Sequence, residues 1–64
     1  MPLKLDPNIA DPDGFYQELI DSQRDLDEQA AALMNARLVL LLANHIGERG
    51  TLSEAIRLAH PAAR

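Results

Sequence analysis

Length and composition set the first limits on this chain. It has 64 residues, no cysteine, no tryptophan and a formal net charge of −4. A chain of this length forms one domain at most and buries only about 60% of the surface that its unfolded form exposes. Without cysteine it has no disulfide and no thiolate metal site. It also lacks the clustered Lys and Arg side chains that bind a phosphate backbone, so we expect no nucleic-acid partner.

Charge is unevenly distributed along the chain. Residues 1–28 hold eight of the ten acidic residues and only two of the six basic ones. A solvated acidic face is the favoured interpretation, and an acidic arm that binds a basic partner is the alternative. Near the N-terminus, Lys4 is followed by Asp6 and Pro7 without a long apolar stretch, which indicates no signal peptide and predicts a cytoplasmic protein.

The order of turn-forming and helix-forming residues divides the chain into three parts. Residues 1–10 contain two prolines and an asparagine, which is typical of an extended arm. Residues 11–60 form a single helical domain, and residues 61–64 form a tail, because Pro61 cannot continue a helix. The predicted fold is all-α, either a helical hairpin or a three-helix mini-domain with an extended N-terminal arm.

Capping residues predict where the first two helices begin and end. Asp11 is an N-cap, and Pro12 suits the first position of a helix that runs to about residue 24. The second helix begins after either Asp25, with Glu28 as its capping-box partner, or Asp27. Strong helix formers then continue to residue 46, where Gly47 supplies the C-terminal cap.

A capping box predicts the third helix. In "TLSE", Thr51 is the N-cap and Glu54 reaches back to it from the third helical position. The helix then runs from Leu52 to about Ala59 and carries one apolar face.

The second helix is apolar over much more of its circumference than a surface helix needs. At 100° per residue, an arc of about 220° around Leu38 holds only two polar side chains, Asn35 and His45. A helix that lies on one core needs an apolar stripe of only about 100°. The uninterrupted apolar run is six residues, Leu38 to Ala43, and a membrane span needs about 20. We therefore expect no membrane span and a neighbour on at least two sides of this helix.

The chain's other two helices are too short to cover this arc. We therefore predict a homodimer through the second helix, with a helix of a partner protein as the alternative. Spacings of three and four residues, like those of a short coiled-coil seam, separate Ala31, Met34, Leu38, Leu41 and His45. The predicted interface residues are Met34, Asn35, Leu38, Leu41, Leu42, His45 and Ile46.

Two polar residues, Arg37 and Asn44, share another face of the same helix. They form either a recognition patch for a partner protein or, in the favoured interpretation, structural contacts, with the arginine paired to an acid of the first helix. The two histidines, His45 and His60, stand far apart in sequence without cysteine, so we expect no metal site. No nucleophile has a base placed beside it, so we expect no catalytic residue and no cofactor.

Three function classes therefore remain. A non-enzymatic interaction or accessory protein ranks first. A DNA-binding regulator would use residues 52–60 as the recognition helix of a helix-turn-helix, although Ser53, Arg57 and His60 are its only candidate contacts. An enzyme with a site built between subunits is the third class.

The motifs "ADPDGFY" and "NARLVLLLANHIG" resemble the short bacterial proteins grouped as domain of unknown function 2783, and the likeness extends from about Leu5 to Ala59. That resemblance implies no assigned activity, but it implies an accessory role beside flavin-dependent aromatic hydroxylases and related catabolic enzymes. Glu48 and Arg49 stand where the family pattern has an aspartate. The positions that match the family motif are Asn35, Arg37, Asn44, His45 and Gly47, and the resemblance gives none of them a catalytic role.

Overall fold

Three α-helices joined by short turns make up the computed structural model, which describes residues 3–62. The helices are α1, Pro12–Ser22, α2, Glu28–Ile46, and α3, Arg49–Ala59. Residues 3–62 contain no strand. The all-α prediction and its three-helix form are confirmed. Residues 1–2 of the predicted arm and residues 63–64 of the predicted tail lie outside the described part of the chain.

The first two helices begin at aspartate caps, as their sequences predict. The carboxylate of Asp11 accepts a hydrogen bond from the backbone N–H of Gly14 at 3.1 Å, and Pro12 occupies the first helical position. Asp27 accepts from the N–H of Ala30 at 2.8 Å, which decides between the two predicted starts of α2. Such caps satisfy backbone donors that have no partner within the helix.

The ends of α1 and α2 differ in how well the sequence predicts them. Gly47 caps α2 with φ of 76°, a left-handed conformation that a residue without a Cβ adopts at low cost. α1 ends at Ser22, about one half-turn before the predicted end. The Ser22 hydroxyl donates to the carbonyl of Leu19 at 2.8 Å, a local bond that competes with continuation of the helix.

The predicted start of α3 is wrong. The helix begins at Arg49, and its N-cap is Glu48 rather than Thr51. Glu48 accepts hydrogen bonds from the backbone N–H groups of Gly50 and Thr51 at 3.0 and 2.7 Å. Glu54, the predicted capping partner, instead lies 3.9 Å from Arg57 in an exposed ion pair. The turn after α2 is therefore only two residues long.

The three helices leave their apolar side chains exposed or only half-buried. Among the described residues no hydrophobic side chain is buried, and the only buried residue is Thr51, at 6% exposure. The radius of gyration is 13.5 Å, whereas a compact domain of this length has about 10.7 Å. Within residues 3–62, no two helices pack closely along their length. Residues 3–62 of one chain therefore form an open scaffold without an apolar core.

Candidate interaction surface

Two of the predicted interface residues, Met34 and Leu38, face the chain's own first helix. Both are half-buried, and with Phe15 and Leu19 they line an open groove of about 200 Å³. The Ser22 hydroxyl lies 3.8 Å from the sulfur of Met34. α1 thus covers part of this side of α2, and less of it is left for a partner than the sequence alone suggested.

Asn35 also contacts the first part of the chain, through its side-chain amide. Gln23 Nε2, just after the end of α1, donates a hydrogen bond to Asn35 Oδ1 at 2.7 Å. An amide on an apolar face needs such a partner, because leaving it unsatisfied on burial costs about 1–3 kcal/mol. Asn35 as a whole is exposed in the single chain.

An apolar concavity lies between α2 and α3. This α2–α3 groove has a volume of about 460 Å³ and is lined on the α2 side by Val39, Leu42 and Ile46. From α3 it receives Leu52 and Ile56. Leu42 and Ile46 belong to the predicted interface, whereas Val39 was not among those residues. A helical wheel could have identified Val39, because it lies within the same apolar arc.

The two remaining predicted interface residues, Leu41 and His45, lie outside both grooves. Leu41 is 69% exposed and His45 is exposed as well. They stand on the part of the arc away from the α2–α3 groove, since Leu41 is separated by about 100° from Leu42 around the helix. The predicted interface residues are therefore divided. Met34 and Leu38 lie beside α1, whereas Leu41 and His45 lie in solvent.

Arg37 and Asn44 are exposed and share the side of α2 opposite Val39 and Ile46. Neither forms an ion pair or a side-chain hydrogen bond within residues 3–62, so the predicted pairing of Arg37 with an acid of α1 is not formed there. Leu33 and Leu40 lie around them, at 51% and 70% exposure. The predicted recognition patch is thus polar, has no side-chain partner within residues 3–62 and is bordered by leucines.

Glu48, which the sequence analysis did not identify as a cap, is an acid whose pKa is lowered by its hydrogen bonds. Its carboxylate accepts the Thr51 hydroxyl at 2.5 Å in addition to the two backbone N–H groups. These hydrogen bonds, above all that from the Thr51 hydroxyl, lower the pKa of Glu48 from 4.5 to about 2. The carboxylate is therefore held ionised at the junction of α2 and α3. Glutamate is not among the strongly preferred N-caps, which are Ser, Thr, Asp and Asn, so the sequence pattern did not predict Glu48 as the cap.

Residues 3–62 contain no candidate metal site and no candidate membrane span. No group of three or more His, Cys, Asp or Glu side chains there is arranged to hold a metal ion. Each helix in that range is too short or too polar to span a lipid bilayer.

Comparison with family models matches residues 3–61 to a family described as "Protein of unknown function (DUF2783)". A search of curated proteins and a search of solved structures each found no significant match.

Proposed function

The chain belongs to the DUF2783 family, whose description names no activity, and we propose that it is a non-enzymatic helical interaction protein that associates with itself through α2. One observation carries this proposal. Among residues 3–62 no hydrophobic side chain is buried, although the chain has three well-capped helices. Isolated helices of 11 residues, the length of α1 and α3, are marginal in water and depend on packing of an apolar face.

The solvent-accessible surface of the chain is larger than that of a compact monomer, which supports the proposal that a partner covers part of it. The chain exposes 5869 Å², whereas a compact monomer of 7.0 kDa exposes about 4,000 Å². The excess, about 1,800 Å² per chain, corresponds to about 3,600 Å² for two chains, which lies in the range of permanent homodimers. The exposed residues lie in the segment before α1 and in all three helices.

A second copy is the partner that these quantities favour. Small domains without disulfides or metals commonly obtain a sufficient core by oligomerisation. Closed two-fold dimers are the commonest oligomers and need only one self-complementary surface. The apolar face of α2 can provide such a surface, since each copy exposes the same large side chains to the other.

The proposal also includes the accessory role that the family resemblance implies, in which the dimer binds another protein. Arg37 and Asn44 point away from the α2–α3 groove, so dimerisation through the groove side leaves them accessible. A polar pair bordered by leucines is a reasonable anchor for another protein. A flavin-dependent aromatic hydroxylase is the partner class that the resemblance suggests.

The DNA-binding alternative has less support. The recognition helix would be α3, where Arg57 lies 3.9 Å from Glu54 and so has part of its charge compensated. The chain is also acidic, with a net charge of −4, and DNA binding requires net cationic contacts with phosphates.

Light scattering on the purified chain tests the self-association. We expect a mass of two chains at micromolar concentration. A monomeric mass that persists as the concentration rises would remove the proposal. Co-sedimentation with a purified hydroxylase, comparing wild type with Arg37→Ala, tests the accessory role. Equal sedimentation of both proteins with the enzyme would count against the Arg37 patch.

A further inference from the structure

α2 carries a narrow seam that neither α1 nor α3 covers. The seam consists of Asn35, Val39, Leu42 and Ile46, which follow one another at spacings of four, three and four residues. On a helix this spacing places them within an arc of about 60°. Val39, Leu42 and Ile46 are 64%, 51% and 43% exposed. The spacing is that of a helix pair in which side chains of one helix fill the spaces of the other.

The position of the seam follows from what the chain itself covers. Met34 and Leu38, on one side of it, are half-buried beside α1. On the other side, Ala43 is half-buried where α3 approaches. The seam lies between these two contacts, and three of its members, Val39, Leu42 and Ile46, line the α2–α3 groove together with Leu52 and Ile56 of α3. A helix placed there would contact α2 and α3 together.

We infer that the occupant of the seam is the same seam of a second copy, with the two α2 helices antiparallel. This inference rests on the proposed self-association and specifies its surface and direction. A two-fold axis midway between Val39 and Leu42 brings Val39 of one copy against Leu42 of the other. The same axis brings Asn35 against Ile46. The four seam positions are thus self-complementary about one point.

Charge favours the antiparallel direction. Residues 1–28 carry eight acidic and two basic residues, whereas residues 29–64 carry two acidic and four basic ones. Parallel helices would place the two acidic halves side by side, and antiparallel helices place each acidic half near the basic half of the other copy. Such long-range complementarity sets orientation even where each charge pair is weak.

The bonding of Asn35 also disfavours the parallel arrangement. A buried asparagine can specify parallel dimers by pairing with its own copy. Here Asn35 Oδ1 already accepts a hydrogen bond from Gln23 Nε2 at 2.7 Å. In the antiparallel dimer Asn35 stands near the end of the contact, where its amide nitrogen keeps access to water.

Introduced cysteines provide the test, because the natural chain contains none. Chains with Val39→Cys are mixed with chains carrying Leu42→Cys, allowed to exchange, and oxidised. The expected product is the heterodisulfide, because facing Cα atoms of packed helices approach disulfide range. Asn35→Cys mixed with Ile46→Cys is expected to give a heterodisulfide as well. Leu41→Cys is the matched control, and it should stay reduced because its side chain points away from the seam.

The outcomes separate this inference from the proposed function. A monomeric mass of the reduced proteins and of wild type overturns both. A dimer whose Leu41→Cys chains cross-link, while the Val39→Cys and Leu42→Cys mixture does not, overturns the seam and leaves self-association standing. Efficient Ile46→Cys homodisulfides would show parallel helices and overturn the antiparallel arrangement.

The wild-type protein offers a second measurement that does not depend on the variants' folding. Dimers formed from equal amounts of isotope-labelled and unlabelled chains report only contacts between copies in a filtered NMR experiment. Contacts between the methyl groups of Val39 and those of Leu42 are expected. Contacts that instead join Leu41 to its own copy would contradict the inference.

Discussion

The Thr51 hydroxyl donates a hydrogen bond to the carboxylate of Glu48 at 2.5 Å, and Thr51 is the one buried residue of residues 3–62. The same carboxylate accepts the backbone N–H groups of Gly50 and Thr51. This arrangement fixes the first turn of α3 directly after Gly47, the C-cap of α2. The relative placement of α2 and α3, and hence the α2–α3 groove, depends on this cap.

Replacing Thr51 with valine should raise the pKa of Glu48 from about 2 toward 4.5. Valine keeps the branched shape but removes the donor that contributes most to the shift. An NMR titration of the Glu48 side-chain carboxyl measures the change. Thr51→Ser, which keeps a hydroxyl, is the control and should retain a lowered pKa. Equal pKa values in wild type and Thr51→Val would show that the hydroxyl does not bond the carboxylate in solution.

The cap should also make α3 sensitive to acid. Because the pKa of Glu48 is lower in the folded chain than its ordinary 4.5, ionised Glu48 stabilises the fold above about pH 4.5. That contribution is lost as the pH falls toward about 2. Thermal unfolding followed by circular dichroism should therefore show Glu48→Gln below wild type at pH 7, with the difference vanishing near pH 2. A difference that is unchanged across this range would contradict the ionised cap.

Leu42 and Leu41 are neighbours with opposite expected roles. Leu42→Ala should destabilise the dimer by about 2–5 kcal/mol, because it removes a large side chain from the centre of a packed contact. Leu41→Ala should change stability by no more than about 0.5 kcal/mol, as exposed substitutions usually do. Urea unfolding of both variants at one protein concentration provides the comparison. If Leu41→Ala were the more damaging, the contact would lie on the face away from the groove.

Asn35→Leu should raise stability and weaken specificity. Leucine adds apolar contact with Ile46 of the second copy, and the substitution removes the amide bonded to Gln23. Polar groups within such seams select partner and direction at some cost in stability. The expected result is a higher melting temperature together with a mixture of hetero- and homodisulfides in the Val39→Cys and Leu42→Cys experiment. A lower melting temperature with an unchanged disulfide pattern would assign Asn35 to holding α1 through Gln23.

Local signals in the sequence predicted most of the secondary structure. Asp11, Asp27 and Gly47 each act within one helical turn, so their effect does not depend on the rest of the fold. The predicted start of α3 was wrong because Glu48, and not Thr51, is the N-cap. The capping-box pattern paired Thr51 with Glu54. In the structure Glu48, which lies in the turn before Arg49, accepts the backbone N–H groups at the start of α3.

The arrangement around α2 was beyond what the sequence could predict. An apolar arc of about 220° shows that neighbours are needed but does not show which part each neighbour covers. The structure assigns Met34 and Leu38 to α1, and it adds Val39 to the surface left open beside α3. Such assignments depend on the direction in which each short turn sends the next helix, which a single helical wheel does not contain.

The most direct test of the central claim measures helix content and mass together as the protein is diluted. The claim is that a second copy supplies the core that one chain lacks. Circular dichroism and sedimentation equilibrium should show both quantities falling together, from helical dimer to largely unfolded chains of 7.0 kDa, with a melting temperature that rises with concentration. A fully helical monomer of 7.0 kDa with a melting temperature independent of concentration would contradict it.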